Sequence, residues 1–79
     1  DYTRMKILWH LMKQEYCVSE LAKKIEVTES AISHQLHELR IARLVRSRKD
    51  GIKVFYSIQD EHIQWILEET YAHISERHP

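Results

Sequence analysis

Two pairs of side chains near the end of the chain have the chemistry of divalent-metal ligands. Asp60 and His62 open the run "DEHIQWILEETYAHISE", and His73 and Glu76 close it. On a helix, at about 100° per residue, His73 returns to nearly the azimuth of His62, and Glu76 falls roughly 60° away on the same flank. The four residues therefore share one stripe. A rise of about 1.5 Å per residue nevertheless sets the two imidazoles about 16 Å apart, whereas metal bonds to N and O are only about 2 Å long. One helix cannot close such a site. Two antiparallel copies can, with Asp60 and His62 of one chain meeting His73 and Glu76 of the other, and symmetry then supplies a second, identical site in a homodimer. Two histidines with two carboxylates suit tetrahedral Zn2+. Co2+ and Ni2+ share these ligands, and copper would bind more tightly by raw affinity. His78 could add a ligand and so favour the higher coordination of nickel or cobalt. Asp60 stands at the helix entrance, where it can equally serve as an N-cap, and the helical wheel does not fix its direction. The set leaves no open position with a general base, which argues against a hydrolase and against an enzyme.

A second group of residues has the chemistry of nucleic-acid contact. Ser30, Ser33, His34 and His37 share the outward face of one helix, with Glu29 and Gln35 alongside. Their hydroxyl, imidazole and amide groups can reach base edges in a major groove. Arg48, Lys49 and Lys53 surround a turn and are placed to meet phosphates, which position a protein without reading sequence. His34 and His37 are one turn apart and could bind a metal, but their place on the reading face favours DNA. The bland alternative is a solvated polar face and a solvated hairpin; the helix, the basic hairpin and the charge segregation together outweigh it.

These residues need elements to carry them, and with one Gly and one Pro in 79 residues the elements must be read from periodicity. Ile7, Leu8, Leu11 and Met12 make a first helical stripe, with Asp1 or Thr3 as its cap. Val18, Leu21, Ala22 and Ile25 repeat the spacing in a shorter second helix. Thr28 caps a third, whose Ile32, Leu36 and Leu39 face a core. Leu44 to Arg48 and Ile52 to Ile58 then read as strands, joined at Asp50-Gly51, the two-residue signal for a type I′ hairpin turn. A final helix from about residue 61 to 77 has Ile63, Ile66, Leu67, Thr70, Tyr71 and Ile74 on its apolar side. The expected architecture is mainly α with a small β-hairpin: a single winged helix-turn-helix domain over residues 1–79. Its reading helix spans about 28–41, its wing about 44–58 and its dimerisation and metal helix about 61–77.

Twelve basic and twelve acidic residues cancel, but they are segregated. Six basic residues lie between Arg40 and Lys53 against Asp50 alone, and five acidic residues follow from Asp60 against Arg77. A basic pole and an acidic pole are expected. The single cysteine, Cys17, excludes an internal disulfide and suits a reducing cytoplasm; it reads as a small, partly buried apolar residue. His10 has no carboxylate or thiol at ligand spacing and reads as structural. No apolar run approaches a membrane span, so no membrane partner is expected. The chain opens at Asp1 rather than Met, which points to a segment upstream.

Three segments carry a resemblance: "CVSELAKKIEVTESAISHQLHELR", "ARLVRSRKDGIKVFYSI" and "DEHIQ…AHISE". Over nearly the whole chain the sequence resembles the ArsR/SmtB family of metal-sensing winged-helix repressors. The first two segments are similar to the family's DNA-binding core and the last to the C-terminal helix site of its zinc sensors. The resemblance implies Asp60, His62, His73 and Glu76 as ligands across a homodimer, and a metal-free dimer that sits on double-stranded operator DNA and leaves it on binding metal. It further implies that the second ring N–H of His73 reaches a backbone carbonyl at the end of the reading helix, matching Arg43. The family's N-terminal helix is absent from this chain. Soft-metal sensors of the family carry Cys-Val-Cys where this chain reads Cys17-Val18-Ser19, so a thiolate site for cadmium, lead or arsenite is not expected. Alternatives are a winged-helix regulator not controlled by metal, a nickel or cobalt sensor, and a metal-trafficking or storage protein without an operator.

Overall fold

The computed structural model describes residues 1–76, so Arg77, at the expected end of the last helix, and His78 lie outside the described residues. The first helix, α1 (Tyr2–Leu11), starts where the Asp1 carboxylate accepts from the backbone N–H of Thr3 at 2.9 Å and of Arg4 at 3.3 Å. These are donors that a helix start otherwise leaves without partners. A two-residue strand, β1 (Tyr16–Cys17), precedes α2 (Val18–Ile25), and the Cys17 N–H donates to Glu20 Oε1 at 2.9 Å. The turn to α3 (Glu29–Ile41) passes through Glu26 in the left-handed region, φ 64°, and Thr28 Oγ1 accepts from Ala31 N at 3.1 Å. Strands β2 (Val45–Asp50) and β3 (Lys53–Ile58) follow, and α4 (Glu61–Glu76) completes the order.

The sheet is antiparallel in the order β1-β3-β2. β1 pairs Tyr16 with Tyr56 and Cys17 with Phe55, so the hairpin is fastened to the helical part by a third strand that periodicity did not anticipate. A two-residue segment is too short to show an alternating pattern. The wing's register also corrects the expected turn. Asp50 pairs with Lys53, which leaves Gly51-Ile52, not Asp50-Gly51, as the two-residue loop. Gly51 has φ 65° and Ile52 does not share the positive φ. That is the pattern of a type II′ turn, with Gly at the first central position, because a β-branched residue resists the left-handed region that a type I′ turn requires at both positions.

Ile7, Leu21, Ile32, Leu36, Leu39 and Val45 are the most deeply buried side chains, drawn from three helices and the wing. This core binds α3 rigidly to α1, α2 and β2. The last helix is attached differently. Ile63, Leu67 and Tyr71, spaced four apart, lie half-buried against the core, and no α4 residue is fully buried. Side-chain bonds help hold it: Gln64 Nε2 donates to the Met12 carbonyl at 3.0 Å and Tyr71 Oη to the Met5 carbonyl at 2.7 Å. Ile66 and Ile74, expected on the apolar side, are half exposed, and Trp65 is 63% exposed. Among the described residues no helix is long and apolar enough to cross a membrane.

Candidate nucleic-acid interface and metal stripe

Burying Ile32, Leu36 and Leu39 turns the opposite face of α3 outward. Ser30, Ser33, His34 and His37 are exposed there in one group, followed by Ile41, which is 67% exposed. The core residues thus dictate which side chains can meet a partner. Gln35 is not among them. At about 100° per residue it falls beside the buried stripe, and both ends of its amide are bonded on the α1 side: Nε2 donates to Asp1 Oδ2 at 2.9 Å, and Oε1 accepts from Arg4 Nε at 2.9 Å. Arg4 also reaches Glu38 at 3.9 Å. The fold therefore gives Gln35 the role of orienting α3 on α1, against its expected place on the reading face.

The wing extends the exposed surface. Lys49 and Lys53 are exposed near the tip of its two strands, and Arg46, which the sequence reading did not single out, is exposed nearer the base of β2, opposite Ser57. Arg48 is exposed but already partnered. It donates through Nε to Glu15 Oε2 at 3.0 Å and through Nη2 to Glu15 Oε1, stands 3.8 Å from Asp50 Oδ2, and lies 4.9 Å from the centroid of the Phe55 ring. The hydrogen bond from Arg48 holds the Glu15 carboxyl below its ordinary range. Nothing in the sequence marks Glu15 for this part, because its partner is 33 residues away and reaches it only through the fold. Arg43 occupies a second left-handed turn, φ 60°, where the Leu44 N–H donates to the Leu39 carbonyl at 3.0 Å and closes the end of α3.

On α4, His62, His73 and Glu76 are all exposed, with Trp65 and Ile66 on the same side of the helix. Asp60 lies immediately before the helix. Its Oδ1 accepts from the Ile63 N–H at 3.0 Å, which makes it the N-cap, and the same oxygen stands 3.8 Å from His62 Nδ1. Donor atoms about 3.3 Å apart form one edge of a tetrahedron with bonds of about 2 Å. The 3.8 Å between Asp60 Oδ1 and His62 Nδ1 is wider than that edge, so within one chain the pair has the donor chemistry for a divalent ion without its spacing. No group of three or more His, Cys, Asp or Glu side chains able to hold a metal occurs among the described residues of the single chain. Asp60 and His62 stand at one end of the stripe and His73 and Glu76 at the other.

The family described as "Bacterial regulatory protein, arsR family" matches residues 1–47. Curated relatives include a transcriptional repressor SmtB homolog of Synechocystis, 42% identical over 96% of this chain and 58% of its own length. The regulator KmtR of Mycobacterium tuberculosis is 40% identical over 85% of this chain and 52% of its own, and NmtR of the same organism is 36% identical over 98% and 70%. The chain thus spans from about half to three-fifths of the length of the first relatives it matches. Among solved structures, reduced HlyU from Vibrio cholerae superposes with a TM-score of 0.82 at 32% identity, over 91% of this chain and 76% of the other. A homodimeric winged helix-turn-helix DNA-binding domain from Mycobacterium bovis gives 0.89 at 23% identity over 100% and 77%, a likeness of fold alone.

Proposed function

The chain belongs to the ArsR family of bacterial regulatory proteins, and from that premise we propose that it is a homodimeric transcriptional repressor that holds operator DNA until a divalent metal binds. The observation that carries the DNA half of this reading is the exposed group of Ser30, Ser33, His34 and His37 on α3, together with the exposed cations of the wing. The helix presents hydroxyl and imidazole groups to base edges, while Lys49, Lys53 and Arg48 meet phosphates. The wing carries no carboxylate at its tip other than Asp50, and Arg48 stands 3.8 Å from that one.

The metal half rests on the Asp60–His62 pair and on the stripe it shares with His73 and Glu76. Asp60 and His62 of one protomer would meet His73 and Glu76 of its partner, giving two sites per dimer for Zn2+, or for Co2+ or Ni2+. A bound ion would supply charge and a fixed bridge between protomers. The chain's own groups do the rest. His73 keeps one ring nitrogen free of the ion, and its N–H would donate to the Arg43 carbonyl at the end of α3. The left-handed turn at Arg43 is where α3 gives way to the wing, so a bond there would bias the reading element directly. A coupling free energy of about 1 to 3 kcal/mol would suffice for release. A relative whose name refers to a metal, the cadmium resistance transcriptional regulatory protein CadC homolog of Staphylococcus aureus, 36% identical over 92% of this chain, supports the metal reading as a class.

One observation favours a second reading, a regulator indifferent to metal. Asp60 already has a structural task as the cap of α4. Zinc titration of the protein bound to an operator duplex separates the two. The first reading expects dissociation at two equivalents of zinc per dimer, restored by a chelator; unchanged binding at saturating zinc supports the second.

A further inference from the structure

We infer that Ile52, at the apex of the wing, is an apolar minor-groove reader that gives this protein a preference for A·T pairs beside the sites contacted by α3. The inference rests on the DNA-binding reading above. Ile52 is 99% exposed, a larger fraction than any other exposed hydrophobic side chain among the described residues. The exposed apolar residues of α1 and α4 lie along helix flanks, where a neighbouring helix can cover them. Ile52 instead stands alone at the end of a projecting hairpin. Its position is fixed rather than incidental. The Asp50–Lys53 pair closes the strands directly beneath it, and Gly51 takes the positive φ that lets a two-residue loop hold the isoleucine outward.

The charge around the tip names the partner. Lys53, paired with Asp50, and Lys49, paired with Val54, stand on opposite strands and opposite faces of the hairpin, and Asp50, the one carboxylate beside the loop, lies 3.8 Å from Arg48. A minor groove is about 6 Å wide between walls of phosphate, and side chains that leave opposite faces of one hairpin point toward opposite walls. The two lysines can therefore meet opposite walls while the isoleucine between them enters the groove. An apolar side chain there suits A·T pairs, which offer only the acceptors A N3 and T O2 on the floor. A G·C pair adds the guanine N2 amino group, which fills the floor and would lose its hydration against a methyl group. Isoleucine is among the side chains that architectural proteins insert in this groove.

The test uses duplexes selected by the wild-type protein from a random library at fixed salt. Single pairs flanking the major-groove contacts are changed from A·T to G·C and, separately, to inosine·cytosine, which keeps the minor-groove pattern of A·T while altering the major groove. The wild-type protein should lose about tenfold in affinity for G·C and little for inosine·cytosine at the wing position. Ile52→Ser should bind G·C, inosine·cytosine and A·T alike there, while Ile52→Val should keep most of the discrimination. Thermal melting should be the same for all three proteins, since the side chain contacts nothing in the fold. If Ile52→Ser discriminates as the wild type does, or if inosine·cytosine is penalised like G·C, the assignment is wrong. If the wild-type protein selects no duplex, the DNA-binding reading itself has failed, and Lys49→Ala will have no effect either.

Discussion

Arg48 of the wing and Glu15 of the segment after α1 form a two-bonded ion pair, with Nε donating to Oε2 at 3.0 Å, so a cation that the proposed function assigns to phosphate is already held by a carboxylate. Both side chains are partly exposed, and a bond of this kind contributes little to stability. Its consequence is for binding. Glu15→Gln should free Arg48, raise affinity for all duplexes and steepen the dependence of log K on log salt by up to about one. A salt slope unchanged by the substitution would mean that Arg48 never reaches a phosphate.

The proposed function gives His34 and Lys49 different classes of contact. His34→Ala should relax base preference at one position, at a cost of roughly 1 to 3 kcal/mol for the preferred duplex alone. Lys49→Ala should weaken every sequence alike and lower the salt slope by about one. Binding isotherms on selected and scrambled duplexes at several salt concentrations distinguish them. Matching, sequence-independent losses from both would remove His34 from the reading set.

Asp60 caps α4 in the fold and is a metal ligand in the proposed function, and one substitution can divide the two. Asp60→Asn keeps an oxygen for the Ile63 N–H, and Asn caps helices as well as Asp does. It removes the charge a divalent ion would favour. The melting temperature should therefore stay nearly constant while zinc affinity, followed by competition with a chromophoric chelator, falls by at least tenfold if the carboxylate is a ligand. A stable variant with undiminished zinc affinity would leave Asp60 as a cap alone.

The Tyr71 hydroxyl donates to the Met5 carbonyl and helps hold α4 on α1. Tyr71→Phe should cost about 1 kcal/mol or less in chemical denaturation and should quicken amide exchange in α4 more than in α3. Burial raises the Tyr71 phenol above its ordinary value of 10.0. The folded state therefore resists its ionisation, and that part of the stability is complete below pH 10.0 and declines as pH rises beyond it. In Tyr71→Phe this decline should be absent.

His10 gives the opposite dependence in the acid range. Burial first, and then the charges of Lys24, Lys13 and Lys6, lower its pKa from 6.5. Its ring lies edge-on to Trp9 and Tyr16, at 5.0 and 6.0 Å between centroids. In the unfolded chain more protons bind below pH 6.5, so stability is complete above that value and falls as the pH drops through the lowered folded value. Denaturation midpoints at pH 7 and pH 5 should differ by less in His10→Gln than in the wild type. An equal difference would place the acid sensitivity elsewhere.

The helices, their caps and the hairpin were legible in the sequence because each depends on neighbours within a turn or two. Asp1 and Thr28 cap as their types predict, and Ile32, Leu36 and Leu39 alone determine that Ser30, Ser33, His34 and His37 face outward. That His62, His73 and Glu76 share one exposed flank of α4 was likewise a matter of helical azimuth. Only the tertiary structure decided where flexible side chains at the edges of these faces would go. Gln35 turns from the reading face because Asp1 and Arg4, more than 30 residues earlier, offer its amide both a donor and an acceptor. Arg48 folds onto Glu15, and Asp60 directs one oxygen back to its own helix. Tyr16–Cys17 becomes a strand only because β3 arrives beside it, and the register with β2 moves the loop onto Gly51-Ile52. Periodicity records which face is apolar. It carries no information about which polar group on a distant segment will satisfy a side chain, since that pairing exists only once the core has brought the two segments together.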